Sequence, residues 1–144
     1  MNGKVVSLNI SKNKGEIKTP LESAMFIEKF GMEGDAHGGD WHRQISLLDM
    51  ESIDKIKNKG VEIFNGSFAE NITTEGIKLY ELPIGTILEI GETIQEVTQI
   101  GKECHNSGCA VKTLVGDCVM PREGIFTIII KGGIIRVGDE IIIK

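Results

Sequence analysis

The hydrophobic positions fall in short β-branched runs separated by polar or glycine-containing breaks, which predicts a chain built mainly from strands. In the first half such runs lie at 4–9 and 44–48, while 22–30 is compatible with either strand or loop. The second half is dominated by further runs at 86–90, 92–100, 125–131, 134–137 and 140–144. Many short strands at close spacing predict a barrel or sandwich and disfavour an alternating βαβ sheet.

The breaks between these runs predict turns and a few short helices. Gly91 lies between two strand runs and predicts a hairpin, as does the pair Gly132-Gly133, because glycine adopts positive φ at little cost. Ile53 and Ile56 are three apart among charges, which predicts an amphipathic helix over 50–59. A second short helix is predicted over 107–114, and the S-x-x-E spacing at 67–70 fits a brief helical turn.

Length and charge narrow the classes of protein. The 144 residues suit one domain spanning 1–144. A net charge of −5 argues against a nucleic-acid binder, which needs clustered Lys and Arg, and the basic run at 55–59 fits a solvated helix face. Neither a signal peptide nor a membrane span is predicted. Three cysteines leave at least one thiol unpaired in a monomer, which indicates a reducing compartment, by default the cytoplasm.

The first candidate site is the run Lys102-Glu103-Cys104-His105, which follows a strong strand. A thiolate at Cys104 could act as nucleophile, sulfur carrier or soft-metal ligand, and the cations Lys102 and His105 would lower its pKa. The structural alternative is burial as a small hydrophobe. Burial is favoured for Cys109 in its apolar run, and the role of Cys118 stays open. Cys104 and Cys109 enclose four residues and Cys118 lies eight beyond Cys109, so a Cys3His zinc site with His105 is possible, but neither pair is the common tight knuckle and zinc is not the favoured interpretation.

The second candidate site is the glycine-rich stretch 31–44. Its His37 and His42 could ligate a metal or hydrogen-bond an anion, or its Asp and His side chains could satisfy the loop's own backbone. Arg43 and Arg122 are candidates for holding an anion, because guanidinium binds phosphate with two parallel hydrogen bonds. A third polar group, Glu70-Asn71, could line the same pocket, together with Asp35 from the glycine-rich stretch.

Several of these segments, in this order, resemble a known family. The stretches GDAHGG at 34–39 and RQISLL at 43–48 resemble the opening signature of the MOSC family, named after the C-terminal domain of molybdenum cofactor sulfurases. GSFAENI at 66–72 looks like its second signature. The run 96–104 is similar to the strand that leads into the family's cysteine, and 121–139 is similar to its closing hairpin. The chain is therefore identified as a stand-alone, single-domain, bacterial-type member of that family.

The resemblance implies a mainly β fold, a distorted barrel of short strands with a few short helices, similar to the β-barrel of pyruvate kinase. It implies that Cys104 carries sulfur as a persulfide or, as in some relatives, ligates molybdenum. The surrounding pocket would then involve Asp35, His37, Arg43 and the Glu70-Asn71 turn. Molybdopterin is the cofactor that the resemblance suggests, whereas no pyridoxal phosphate site is expected in this chain.

Three functions follow from the resemblance, and the sequence leaves open whether the protein is an enzyme. The first is a sulfur-carrying or pterin-binding accessory protein, with a cysteine desulfurase or a cofactor-biosynthesis protein as partner and an anionic pterin as ligand. The second is a delivery module in which the thiol only ligates. The third is the detoxification of N-hydroxylated compounds, which some relatives suggest. In this sequence Gly101-Lys102-Glu103 precedes Cys104, where relatives often have an arginine, which weakens the case for direct molybdopterin binding.

Overall fold

The computed structural model of the protein describes residues 2–11, 19–36, 38–51, 54, 70–101 and 124–144. Its strands and one 3-10 turn (η1) are, in chain order, β1 (Asn2–Ile10), β2 (Thr19–Leu21), β3 (Ser23–Ile27), β4 (Gly31–Met32), β5 (Ile45–Asp49), β6 (Ile72–Glu75), η1 (Leu79–Glu81), β7 (Ile87–Ile90), β8 (Thr93–Ile100), β9 (Ile125–Lys131), β10 (Gly133–Arg136) and β11 (Glu140–Ile143).

Seven of these strands form a closed mixed barrel, in the order β11-β7-β8-β9-β5-β6-β1. The barrel closes where β1 pairs with β11, with Asn2 opposite Ile142. The strand β2 extends the sheet by pairing with the end of β1. One pair, β5 with β6, is parallel, and the other pairs are antiparallel. The mainly β barrel expected from the sequence is therefore confirmed.

The core is filled by the inward-facing residues of these strands. Along β8, buried and half-buried positions alternate from Thr93 to Val97, as the two-residue period of a strand requires. All five residues of β5 are buried, so this strand is covered on both faces. Fully buried aliphatic side chains include Leu8, Leu47, Ile72 and Leu88. Each contributes about 1.5–3 kcal/mol relative to an exposed position, which holds the barrel in one register.

A second, three-stranded sheet, in the order β10-β3-β4, was not predicted. It also shows that the hairpin predicted at Gly132-Gly133 is wrong: β9 pairs with β5 and β8, whereas β10 pairs with β3. The chain therefore changes sheets at this point. Glycine is needed there because a Cβ on Gly132 would lie 2.6 Å from the carbonyl oxygen of Phe26, and not because of positive φ.

Most of the other predicted strands are present in the structure. The strand runs correspond to β1, β5, β7, β8, β9, β10 and β11, with small shifts at their ends. The hairpin at Gly91 is confirmed, since β7 and β8 pair around it and its φ is +54°. The helix over 50–59 lies mostly, and the helix over 107–114 wholly, outside the described residues, as does most of the turn at 67–70. No helical segment in the described ranges is long and apolar enough to cross a membrane.

Candidate functional site

Asn71 joins three strands of the barrel through its side chain. It lies just before β6 and is completely buried. Its Oδ1 accepts hydrogen bonds from the backbone nitrogen of Ser46 at 3.0 Å and from Ser46 Oγ at 3.1 Å, on β5. Its Nδ2 donates to the carbonyl oxygen of Asn9 on β1 at 3.3 Å and lies 3.9 Å from Met32 Sδ. Both ends of this amide are therefore bonded within the protein.

Glu70 belongs to a buried polar network beside Asn71. Its side chain is fully buried, and its Oε2 accepts a hydrogen bond from Thr73 Oγ1 at 2.8 Å. Asn9 Nδ2 donates both to the Glu70 carbonyl oxygen at 3.2 Å and to Thr73 Oγ1 at 3.1 Å, while Ser7 Oγ donates to Asn9 Oδ1 at 2.7 Å. Buried polar groups are costly unless they are bonded, so this network fixes the geometry where β1 meets β6.

Asp35 fastens the glycine-rich stretch to the end of β1. The residue is 6% exposed, and its Oδ1 accepts a hydrogen bond from the backbone nitrogen of Ser11 at 3.1 Å. The backbone nitrogen of Ala36 donates to the Ser11 carbonyl oxygen at 2.9 Å, so Ser11 and this stretch are joined twice. Asp35 thus satisfies backbone groups, which is the structural alternative raised from the sequence.

The glycines of this stretch allow close packing against Phe30. A Cβ on Gly38 would lie 2.4 Å from the Phe30 ring, and the backbone nitrogen of Gly39 donates to the Phe30 carbonyl oxygen at 2.7 Å. The loop therefore folds back on itself before the chain reaches Trp41. After this turn, residues 42 and 43 contact Thr98 of β8 and Phe126 of β9.

The Arg43 guanidinium lies close to two aromatic rings. Its guanidinium carbon is 4.8 Å from the centroid of Trp41 and 5.7 Å from that of Phe126, which are cation–π distances. Its Nε is buried and has no hydrogen-bond partner among the described residues. A guanidinium held against apolar rings with an unused donor favours an oxyanion as ligand. The residues present therefore fit the anionic part of a pterin cofactor.

His42 is attached to β8 at two points. Its carbonyl oxygen accepts a short hydrogen bond from Thr98 Oγ1, and its Nε2 lies 2.8 Å from Gln99 Oε1. The other end of the Gln99 amide, Nε2, donates to the carbonyl oxygen of Gly101 at 2.7 Å. One glutamine side chain thus connects the histidine-bearing loop to Gly101, which directly precedes segment 102–123.

Five of the predicted site residues lie outside the described residues: His37, Lys102, Cys104, His105 and Arg122. So do Cys109 and Cys118. The residues on either side of segment 102–123 lie next to each other, because the backbone nitrogen of Gly101 donates to the carbonyl oxygen of Gly124 at 2.6 Å. The two described residues that flank segment 102–123 are therefore bonded to each other, and one of them, Gly101, also accepts a hydrogen bond from Gln99.

The structure thus places the described site residues in two groups. Asp35, Glu70 and Asn71 are buried around the end of β1, where they bond to the protein itself. The second group is Arg43, near the unpredicted partners Trp41 and Phe126, and the adjacent His42, which is bonded to the unpredicted Gln99 on β8. No group of three or more His, Cys, Asp or Glu side chains suited to a metal occurs within the described ranges.

A cavity of about 590 Å³ lies away from both groups. Three glutamates, Glu51, Glu75 and Glu140, line it together with Lys4. None of the predicted site residues contributes to its wall. This opening is therefore separate from the thiol and arginine chemistry expected from the sequence.

A comparison with protein families decides the classification. A family model described as MOSC domain matches residues 33–142, about three-quarters of the chain. The chain belongs to the MOSC domain family. The match begins two residues before Asp35 and ends within β11, so it includes both groups of site residues as well as segment 102–123. No curated protein matches the chain.

Solved structures with this MOSC fold include proteins from several bacteria. The YuaD protein from Bacillus subtilis is 22% identical with a TM-score of 0.80, and the alignment covers 98% of this chain and 94% of that one. YiiM from Geobacillus stearothermophilus is 21% identical with a TM-score of 0.74, over 99% and 75% of the two chains. YiiM from Escherichia coli is 16% identical with a TM-score of 0.72, over 100% and 70%. At these identities the likeness establishes the fold alone.

Three residues that the structure brings to the site have little to mark them in the sequence. Gln99 and Thr98 lie in a strand run, where they look like ordinary polar residues of a strand. Phe126 looks like core, and it is buried, but its ring also lies near the Arg43 guanidinium. The signal that could have found the first two is the polar pair Thr98-Gln99 at the end of the strand run, shortly before Gly101 and Cys104.

Proposed function

We propose that this MOSC domain is a cytoplasmic accessory protein of molybdenum cofactor metabolism, in which the Cys104 thiol carries sulfur or binds the cofactor's metal. Arg43, together with Arg122, receives the anionic group of a pterin or phosphate ligand. The partner is a cysteine desulfurase or a protein of cofactor biosynthesis. Membership of the MOSC family and the attachment of the Arg43 loop beside the cysteine-bearing segment support this proposal.

The single observation that carries the proposal is the bridge from His42 through Gln99 to Gly101. Cys104 follows Gly101 by three residues, and three residues of extended chain reach only about 10 Å. We therefore propose that the thiol and Arg43 act in the same region of the protein. Such clustering of a thiol and a cation is what nucleophilic or sulfur-carrying cysteines require.

The chemistry of sulfur transfer is a displacement on a persulfide. The Cys104 thiolate attacks the outer sulfur of a desulfurase persulfide; an S–S bond forms at Cys104, and the S–S bond on the desulfurase breaks. The desulfurase cysteine leaves as a thiolate, so no external oxidant or reductant is consumed. Lys102, His105 and Arg43 favour the reactive thiolate because positive charge nearby lowers the pKa of a thiol.

If molybdopterin binds, Arg43 and Arg122 hold its anionic group, Cys104 is the thiol facing the metal, and the cofactor supplies a redox-active molybdenum centre. The residues of this chain then orient the ligand. The Trp41 and Phe126 rings keep water from one side of the Arg43 guanidinium, which strengthens its hydrogen bonds to an anion.

The test is intact-mass spectrometry after incubation with a cysteine desulfurase and cysteine. We expect a mass increase of about 32 Da, one sulfur atom, on the wild-type protein and its loss in Cys104→Ala. Cys109→Ala and Cys118→Ala are matched controls that should keep the adduct. Cys104 should also react with an alkylating agent near pH 7, below the pKa of about 8.5 of an ordinary thiol.

Two other results would point to the alternatives. If the protein purifies with molybdenum or pterin fluorescence and never gains sulfur, it is a delivery module. If it reduces N-hydroxylated compounds only when loaded with the cofactor, detoxification is the better description. Should Cys104→Ala leave both the sulfur adduct and cofactor binding intact, the assignment of the thiol is wrong.

A further inference from the structure

An extra residue in β8 explains how two consecutive side chains can hold the same loop. Val97 pairs with Thr127 and Gln99 with Phe126, so β8 advances two residues while β9 advances one. Thr98 is therefore the additional residue of a β-bulge. In a regular strand Thr98 and Gln99 would point to opposite faces, whereas a bulge re-aims side chains and allows both to face outward.

Both residues use this freedom to bind His42. Thr98 Oγ1 donates to the His42 carbonyl oxygen, and Gln99 Oε1 meets the imidazole Nε2 at 2.8 Å. One contact holds the backbone and the other holds the ring. The imidazole is consequently fixed in position although the side chain is exposed to solvent.

The Gln99 contacts also determine which imidazole nitrogen carries the proton. The carbonyl oxygen of Gly101 can only accept, so the Gln99 amide nitrogen must face it, at 2.7 Å. The amide oxygen then faces His42, and His42 must donate from Nε2. In the neutral ring this leaves Nδ1 with a lone pair, and no described residue occupies it.

We propose that Gln99 is a positioning residue which fixes His42 with Nδ1 as a hydrogen-bond acceptor, so that His42 and Arg43 together prefer a protonated phosphate group over an oxyanion without a hydrogen. This deepens the proposed function, because a phosphate is one of the anions assigned above to Arg43. The two side chains lie on the same indole, since the Trp41 centroid is 4.8 Å from the Arg43 guanidinium carbon and 6.1 Å from the His42 ring centroid. Arg43 supplies the charge, and His42 Nδ1 accepts the P–OH hydrogen. Asp40 and Arg43 are the charged neighbours of His42 along the chain, while Thr98, Gln99 and Phe126 opposite it are uncharged.

Phosphate and sulfate make a matched pair of probes. Near pH 7 phosphate retains an O–H donor, whereas sulfate has only acceptor oxygens, and the two ions have similar size and shape. Arg43 attracts both, and its contribution cancels in the ratio of their affinities when the phosphate is the dianion HPO4²⁻, which has the same charge as sulfate. The ratio therefore reports the single hydrogen bond to Nδ1.

The experiment titrates the full chain with inorganic phosphate and with sulfate, following backbone amide shifts of residues 41–43 by NMR. We expect the wild type to prefer phosphate by about threefold to tenfold, the value of one net hydrogen bond. Gln99→Met, which keeps the length but cannot bond, should reduce this preference to about one. Glu96→Met, on the same strand and without a described contact to His42, is the matched control and should keep it.

A second measurement determines which nitrogen of the His42 imidazole carries the proton. Long-range nitrogen–proton spectra should show His42 protonated at Nε2 in the wild type and in Glu96→Met, with a larger share of the Nδ1–H form in Gln99→Met. Equal affinity for the two anions in the wild type, or a preference that survives Gln99→Met, would overturn the proposal. Neither measurement uses the thiol, so both can be made in Cys104→Ala, and a failure of sulfur transfer would not change the result of either.

Discussion

Replacing Asn71 with alanine should destabilise the barrel more than any surface change. The substitution removes the acceptor of two hydrogen bonds from Ser46 and the donor of one to the Asn9 carbonyl oxygen. Each buried hydrogen bond contributes about 1 kcal/mol net, and a buried partner that cannot find another costs more. We expect a loss of about 3–4 kcal/mol, a large part of the 5–15 kcal/mol typical of a domain.

Urea unfolding followed by circular dichroism measures this loss as a lower midpoint with an unchanged slope. Ser46→Ala is the graded control: it removes the hydroxyl bond to Asn71 Oδ1, while the backbone bond from Ser46 stays and the Asn71 backbone nitrogen, which also donates to Ser46 Oγ, keeps its bond to the Ser46 carbonyl oxygen. It should cost about 1 kcal/mol. If Asn71→Ala costs no more than Ser46→Ala, Asn71 does not join the strands as described.

Two smaller effects test the reasoning at the surface and at a turn. Lys144→Ala removes the 3.1 Å ion pair with Glu89 and should lower the free energy of unfolding by less than about 1 kcal/mol, because both side chains are well exposed. The effect should be smaller still in 1 M salt, which screens the pair. A loss above about 2 kcal/mol in urea unfolding would contradict this. Gly91→Ala should lower the melting temperature more than Gly85→Ala. Both glycines have positive φ. A Cβ on Gly91 would lie 2.5 Å from Asp139 Oδ2, whereas nothing lies within 4 Å of a Cβ on Gly85. Equal melting temperatures for the two variants would show that the clash is relieved without cost.

The barrel could be predicted from the sequence because its strands are long enough to show their pattern. Their β-branched runs identify the strands, but not always the inward side: in β8 the buried residues are Thr93, Gln95 and Val97, whereas Ile94 is half-buried. The second sheet could not be predicted in the same way, since β3 has one fully buried residue, Phe26, among exposed and half-buried neighbours. The change of sheet at Gly132 has a hairpin's sequence, and only the nearby Phe26 backbone distinguishes the two.

The candidate site was predicted by residue type, and its partners were not. Arg43 stands out in the sequence as a guanidinium in a polar loop, whereas the role of Gln99 depends on a bulge that no local pattern reveals. Asp35 and Asn71 also stood out, and the structure shows that both bond to the protein's own groups. Polar residues in a glycine-rich stretch can serve the backbone or a ligand, and only their neighbours in space decide between the two.

The pairing of β1 with β11 has a consequence for how the protein is made. Asn2 finds its partner, Ile142, only after nearly the whole sequence has left the ribosome. Until then β1 and β7 each present an uncovered edge to neighbouring chains, at a synthesis rate of about 5–20 residues per second. The nascent protein therefore passes through a stage in which wrong partners compete with its own last strand.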